Sequence, residues 1–261
     1  MVLAESKLKI DIRRDKILDE LKSSGKVFVS ELAVKLGVTP VTVRNDLMAL
    51  EKDGYLIRMN GGAVYSSRTT QKPGIPESIE ISQSHQKESM AAAISDMIKD
   101  GDTLFINSGT TTQMIAGELK NRNNLNIVTN SLEVATLLGN VSSFRVILLG
   151  GEVNTKYKFT YGGDAQDQLS RYQADWAIMA IDGISMKKGI TTYHAEEAII
   201  DRMMMKGAKQ IIIAADHTKI GRAGFMKVCD CNKDITLVTN RYDRTAELSE
   251  LYENDIRIIE V

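Results

Sequence analysis

Apolar residues recur at helical spacing from the start of the chain. Ile10, Ile17, Leu18 and Leu21, with Arg14 between them, predict an amphipathic helix that stops near Gly25. Val27 and Val29 then suit a short strand. Ser30 is positioned to cap a second helix through Leu32, Ala33 and Leu36, with Gly37 as the residue that ends it. Gly37-Val38 turns directly into Thr39, whose hydroxyl can accept an orphan N–H at the start of a third helix, and Pro40 is harmless in a first turn. Val43, Leu47 and Leu50 face a core, and the helix is expected to stop at Gly54. Tyr55 to Arg58 reads as a strand, Asn60-Gly61-Gly62 as a hairpin turn and Ala63-Val64 as the return strand. Helices joined by so tight a turn and followed by a hairpin predict a winged helix-turn-helix over residues 1–65.

Between residues 66 and 84 the periodicity is lost, and Pro73 and Pro76 fall there. This polar stretch is the expected linker. Over 85–261 short apolar runs alternate with helical patterns. Strands are expected at Thr103–Ile106, Asn126–Thr129, Arg145–Leu149, Trp176–Ile181, Gln210–Ala215, Thr236–Val238 and Arg257–Ile259. Helices are expected at 85–99, 111–119, 132–138, through Leu169, at 196–206 and at 246–252. Nearly all-apolar strands that alternate with helices predict a mostly parallel sheet covered on both faces, an α/β domain.

Charge adds a distinction between the two parts. The net charge is −1, yet residues 1–68 hold 12 Lys plus Arg against 9 Asp plus Glu, leaving the excess of acid to the remainder. A small basic module on a mildly acidic body fits a polyanion-binding unit. The two cysteines, Cys229 and Cys231, exclude a disulfide framework within the chain, and the three histidines are too scattered for a metal site. No apolar run is long enough to span a bilayer and no signal-peptide core is present, so a cytoplasmic protein is expected, with no membrane partner.

In a parallel α/β sheet, ligands bind at the carboxyl ends of the strands. After the first such strand comes Asn107-Ser108-Gly109-Thr110-Thr111-Thr112, which runs into a helix. Its glycine, hydroxyls and helix-start N–H groups suit a phosphate cradle, and equally an ordinary capped turn. Other strand ends supply Asn130-Ser131, Gly150-Gly151-Glu152, Asp182-Gly183 and Asp216 to Lys219. Lys219 can neutralise a phosphate, and Asp182 or Glu197 can bind sugar hydroxyls. Asp182 and Asp216 can also be simple caps or turn formers.

The ordered set Arg14, Ile17-Leu18, Glu31-Leu32-Ala33, Val38-Thr39, Thr42-Val43-Arg44, Asp46-Leu47, Leu50-Glu51, Gly54, Arg58 and Gly61-Gly62-Ala63 resembles the DeoR family of bacterial transcriptional regulators. So do Lys87, Gly101-Asp102, Ser108 to Thr111, Thr129 to Ser131, Gly150 to Glu152, Asp182-Gly183, Gly189 to Thr191, Glu197-Ala198, Asp216 and Lys219. The resemblance implies a winged helix-turn-helix repressor of carbohydrate genes. It also implies a sensor domain similar in fold to ribose-5-phosphate isomerase that answers to a phosphorylated sugar. Carried over by position, Ser108, Gly109, Thr110, Thr111 and Thr112 hold the phosphate. Lys87 and Lys219 assist, and Asn107, Asn130, Asp182 and Glu197 complete the effector set. Arg14, Thr39, Thr42, Arg44, Asn45 and Arg58 form the DNA set. Arg44 suits guanine, Asn45 suits adenine, and Arg14 and Arg58 suit the backbone.

The chain departs from the family pattern in carrying Asn45 where a second arginine is common, Thr39 for a usual serine, Asn60 for a usual histidine and Asn107 where an aspartate is common. The expected partners are double-stranded operator DNA, a phosphorylated sugar and a second copy of the chain in a dimer or tetramer, with no cofactor or metal. The other class of reading is an active sugar-phosphate isomerase or deaminase with a DNA-binding appendage, for which Asp182 or Glu197 would be the general base.

Overall fold

A computed structural model describes residues 13–65, except 15, 22, 23, 25, 53–55 and 60, and residues 77–261, except 243 and 244. Several expectations lie outside the described residues: the first helix before residue 13, the helix stop at Gly54, Tyr55, Asn60 of the turn and the stretch 66–76. The chain divides after Glu80 into two units.

In the first unit, residues 16–21 are helical and bury Ile17, Leu18 and Leu21. Strand β1 (Lys26–Phe28) leads into helix α1 (Val29–Leu36) without a break. Ser30 is inside that helix rather than at its cap. The capping position is Phe28, and the Val29 amide donates 2.8 Å to the Gly61 carbonyl, so the wing satisfies the helix start in place of a side chain. Gly37 closes α1 in the left-handed conformation, φ 64°. Helix α2 (Pro40–Lys52) follows, then β2 (Leu56–Met59) and β3 (Gly62–Tyr65). The wing is three-stranded, in the order β1-β3-β2, because β1 pairs antiparallel with β3. That pairing needs Gly62: a Cβ there would lie 2.0 Å from the Val27 carbonyl oxygen.

Helix α3 (Glu77–Met97) begins well before the expected His85, so the carboxyl-terminal part of the predicted linker is helical. Glu77, Glu80, Gln83 and Gln86 are good helix formers without an apolar stripe, which is why periodicity missed them, and Pro76 precedes a natural start. The second unit then runs β4 (Thr103–Ile106), α4 (Thr110–Leu119), β5 (Asn126–Thr129), α5 (Leu132–Leu138), β6 (Arg145–Leu148), β7 (Glu152–Asn154), β8 (Phe159–Tyr161), α6 (Gly163–Leu169) and β9 (Ala174–Ala180). It continues with β10 (Gly183–Ser185), β11 (Gly189–Thr192), α7 (Ala195–Lys206), β12 (Ala208–Ala214), β13 (Met226–Cys229), β14 (Ile235–Thr239), α8 (Ala246–Glu253) and β15 (Arg257–Glu260).

Seven strands form one parallel sheet in the order β15-β14-β12-β9-β4-β5-β6. Alternate side chains enter opposite layers. Leu104, Ile106 and Ile178 pack with Met90, Ile94 and Ile115, while Phe105 and Met179 pack with Leu169, Ala198 and Met204 on the other face. The β7–β8 hairpin and the antiparallel sheet β10-β11-β13 were not foreseen. The second depends on pairing Met226–Cys229 back to Gly189–Thr192, a long-range partnership that no local pattern announces.

The chain starts the sheet at β4 and winds outward to β6. It then returns to β9 on the other side of β4 and winds away to β15. The order reverses between β4 and β9, which opens a crevice outside their carboxyl ends.

Candidate functional site

On α2 the buried residues Val43, Leu47 and Leu50 fix which side of the helix faces outward. Arg44 and Asn45 are on that exposed side. Thr39 is the cap: its Oγ1 accepts the Thr42 amide at 3.2 Å and lies 2.9 Å from the Thr42 hydroxyl, so both hydroxyls are engaged at the helix start. Arg14 is engaged within the unit. Its Nε donates 2.9 Å to Asp46 Oδ1 while Arg13 Nε donates 2.5 Å to Oδ2, and Asp46 is 2% exposed. Both arginines, helical residues ahead of β1, therefore hold α2 through a buried carboxylate. Asp46 was visible in the sequence as part of a motif, but nothing there showed that it was the buried partner. Arg58 is exposed on β2, with its amide donating 2.8 Å to Glu51 Oε1.

In the second unit the crevice is built by the segments leaving β4 and β9. Gly109 caps α4 at φ 149°, ψ 158°, a conformation reserved for glycine, and a Cβ there would come 2.9 Å from the Ala180 Cβ. Behind the loop, Asn107 is fully buried. Its Nδ2 donates to the Ala180 carbonyl at 2.9 Å and to Asp201 Oδ1 at 3.0 Å, and its Oδ1 accepts the Ala180 amide at 2.9 Å. Thr112 is also fully buried, its hydroxyl donating to the carbonyls of Asn107 and Gly109. Asn130 is buried too, with Nδ2 3.3 Å from the Thr160 carbonyl. Asn107 and Thr112 are spent on the backbone behind the loop, whereas Asn130 Oδ1 is buried with no hydrogen-bond partner among the described residues. The sequence placed them at strand ends but could not show which way each amide is spent.

Ser108, Thr110 and Thr111 stay at the loop and first turn of α4. Lys87, from α3, reaches that turn: its Nζ donates 3.3 Å to Thr110 Oγ1. Burial pulls the Lys87 ammonium below the usual lysine range, Asp216 opposes this and nearby Lys219 adds to it. Lys219 is 13% exposed and lies 3.6 Å from Asp182 Oδ1. Asp216 caps the short turn His217–Lys219, accepting the Thr218 amide at 2.9 Å. Two lysines thus flank a helix amino terminus, itself a partial positive charge.

Acidic groups stand directly beside them. Ser108 Oγ donates 2.8 Å to Glu197 Oε1, and Thr192 Oγ1 lies 2.7 Å from Glu197 Oε2 and 3.3 Å from Asp182 Oδ2. The Tyr193 amide donates 2.9 Å to Asp182 Oδ2. Burial and then the Asp182 charge push the Glu197 carboxyl up to about 7. The geometry agrees, because Thr192 has one hydroxyl proton for two carboxylates. A proton held by Glu197 lets Thr192 accept from it and donate to Asp182. Beneath, burial and the Glu197 charge raise Asp201 well above the usual aspartate range, and its Oδ2 is buried without a hydrogen-bond partner among the described residues.

The thiols of Cys229 and Cys231 are pushed up to about 11 by burial, which makes them weak nucleophiles. Among the described residues no cluster of three His, Cys, Asp or Glu side chains is arranged for a metal, and no helix is long and apolar enough to cross a membrane.

A winged helix-turn-helix unit joined to a doubly wound α/β unit with an anion-suited crevice defines a DNA-binding transcription regulator with a sensor domain. Comparison with known proteins agrees in both halves. Residues 13–69 match the DeoR-like helix-turn-helix domain and residues 82–243 match the DeoR C-terminal sensor domain. The chain belongs to the DeoR family.

The HTH-type transcriptional repressor CsqR of Escherichia coli (strain K12) is 32% identical over 95% of this chain and 94% of its own length. The glycerol-3-phosphate regulon repressor of the same strain is 32% identical over 80% of this chain and 82% of its own. The lactose phosphotransferase system repressor of Lactococcus lactis subsp. lactis is 32% identical over 91% and 94%. Among solved structures, ribose 5-phosphate isomerase from Plasmodium falciparum is similar at a TM-score of 0.40 and 12% identity, covering 53% of this chain and 54% of that one.

Proposed function

We propose that the chain is a repressor of carbohydrate genes and that a phosphorylated sugar in the β4–β9 crevice weakens its hold on the operator. The observation that carries this reading is the half-buried ammonium of Lys87, held against the first turn of α4 with Lys219 nearby. Like charges gathered at a helix amino terminus oppose one another until an anion arrives, and a phosphate is the anion that such a turn accommodates. Ser108, Gly109, Thr110 and Thr111 contact the phosphate in this reading, with Lys87 and Lys219 neutralising it. Asp182 and Glu197 accept from sugar hydroxyls. Asn107 and Thr112 hold the wall in place.

At the DNA end, Arg44 and Asn45 read base edges and Arg58 touches the backbone, while Arg14 acts through Asp46. A helix-turn-helix reads paired half-sites, so the working form is a homodimer or tetramer. The sugar phosphate acts by linkage: it favours an arrangement in which the reading helices no longer match the half-site spacing.

The test is a titration of phosphorylated sugars that follows operator affinity and melting temperature together. The effective sugar raises the melting temperature and weakens operator binding in the same concentration range. Lys87→Ala should lower sugar affinity by about tenfold or more, the scale of one charge-assisted hydrogen bond, while the sugar-free protein binds its operator as before. A sugar phosphate that stabilises the protein yet leaves operator affinity unchanged overturns the derepression scheme.

One observation favours a second reading, a sugar-phosphate isomerase or deaminase. Glu197, at about 7, has the acidity that a general base needs at neutral pH. Turnover of sugar phosphates that disappears in Glu197→Gln would establish it.

A further inference from the structure

Large hydrophobic side chains are exposed unevenly among the described residues. Val34, Val41, Met48 and Met59 are in the first unit, whereas the longer second unit exposes Leu148, Val153 and Ile199. Two of the first set are on the reading helix: Val41 is 61% exposed and Met48 50%. At 100° per residue, positions 41, 44, 45 and 48 fall within an arc of about 100°, opposite Val43, Leu47 and Leu50. Val41 and Met48 therefore share the outward face with Arg44 and Asn45. Thr42 stands at the margin of that face, and its hydroxyl is already engaged with Thr39. The reading face is thus two polar base-readers framed by two largely exposed apolar side chains.

We infer that Val41 and Met48 read thymine 5-methyl groups in the major groove, on either side of the bases read by Arg44 and Asn45. The thymine methyl is the one apolar feature among the base edges of that groove, and apolar side chains are its natural contact. The occupant is duplex DNA because the face is continuous with the DNA-reading helix of a shown helix-turn-helix family, carries an exposed guanidinium, and belongs to the more basic part of the chain. Val41 and Met48 are seven residues apart, about 10 Å along a helix, so the two thymines should be separated by about three base pairs. This rests on the DNA-binding part of the proposed function and adds to it a composition for the half-site.

The experiment starts by selecting the protein's preferred duplex from a random pool. Each thymine in that duplex is then replaced, one at a time, by deoxyuridine, which removes only the methyl group. In the wild type, two positions per half-site about three base pairs apart should each weaken binding roughly three- to fourfold, the value of one buried methyl. Val41→Ala should abolish the methyl dependence at one of the two and Met48→Ala at the other, while Arg44→Ala leaves both dependences in place. Selective binding that is indifferent to every deoxyuridine substitution overturns this inference and leaves the repressor reading standing. So does a change in oligomeric state of Val41→Ala or Met48→Ala, which would mean that the pair covers a second copy of the chain. Failure to select any duplex overturns both.

Discussion

Glu197→Gln replaces a carboxyl by an amide of the same shape in the most acidic part of the crevice. In the folded chain the carboxyl titrates at about 7 against an ordinary 4.5. At 1.36 kcal/mol per pH unit, the difference is worth roughly 3 kcal/mol. The folded state holds this proton more tightly than the unfolded chain, so the contribution is complete below about pH 4.5 and is lost as the pH rises through about 7. Glutamine cannot ionise and escapes that loss. The hydrogen bonds can be kept: the Ser108 hydroxyl donates to the amide oxygen, and Thr192 accepts from the amide nitrogen while donating to Asp182. The variant should therefore match the wild type near pH 5 and exceed it by roughly 2–3 kcal/mol at pH 8. Urea unfolding followed by fluorescence isolates the relevant unit, because the chain's single tryptophan, Trp176, is in β9 of the main sheet. Stability curves that run parallel for the two proteins from pH 5 to 8 would refute the claim that Glu197 carries a proton at neutral pH.

Two further predictions follow from single residues. Asp46→Ala strands Arg13 and Arg14 in a partly buried position and should cost about 2–3 kcal/mol, below the range for a fully buried pair, with operator binding lost at lower temperature than in the wild type. Thermal denaturation monitored on the isolated transition of the first unit checks it. Gly109→Ala forces a side chain into φ 149° and against Ala180, a strain of about 1–3 kcal/mol, and should abolish stabilisation by inorganic phosphate or a sugar phosphate. Calorimetric binding that survives the substitution would remove the loop from the phosphate site.

The division between what was legible and what was not follows the range of the interactions. Thr39 as a cap, Gly37 as a left-handed stop and the strands at Thr103–Ile106 and Asn126–Thr129 are all decided within a few residues, by N–H satisfaction, backbone freedom or the pleat. Their signals are printed locally. The place of β13 beside β11 is decided by a partner far away in sequence, as is the use of β1 as a third wing strand, while β7 and β8 are local but only three residues each, too short for alternation to show. Periodicity carries no trace of a partner's register.

The candidate site divides in the same way. The chain's own order of residues determined a winged reading helix, an alternating α/β body and a glycine-hydroxyl turn ahead of a helix, because spacing and capping chemistry are local. Only the tertiary structure decided that Asn107 and Thr112 brace the loop from behind and that Arg14 serves Asp46. The same holds for the approach of Lys87 to the α4 amino terminus and for the carboxyls of Asp182 and Glu197 competing for one hydroxyl. In each case the deciding quantity is burial together with a partner's position. For the crevice residues those follow from how the sheet reverses between β4 and β9, and for Arg14 from the helix packing of the first unit, neither of which any single stretch of the chain contains.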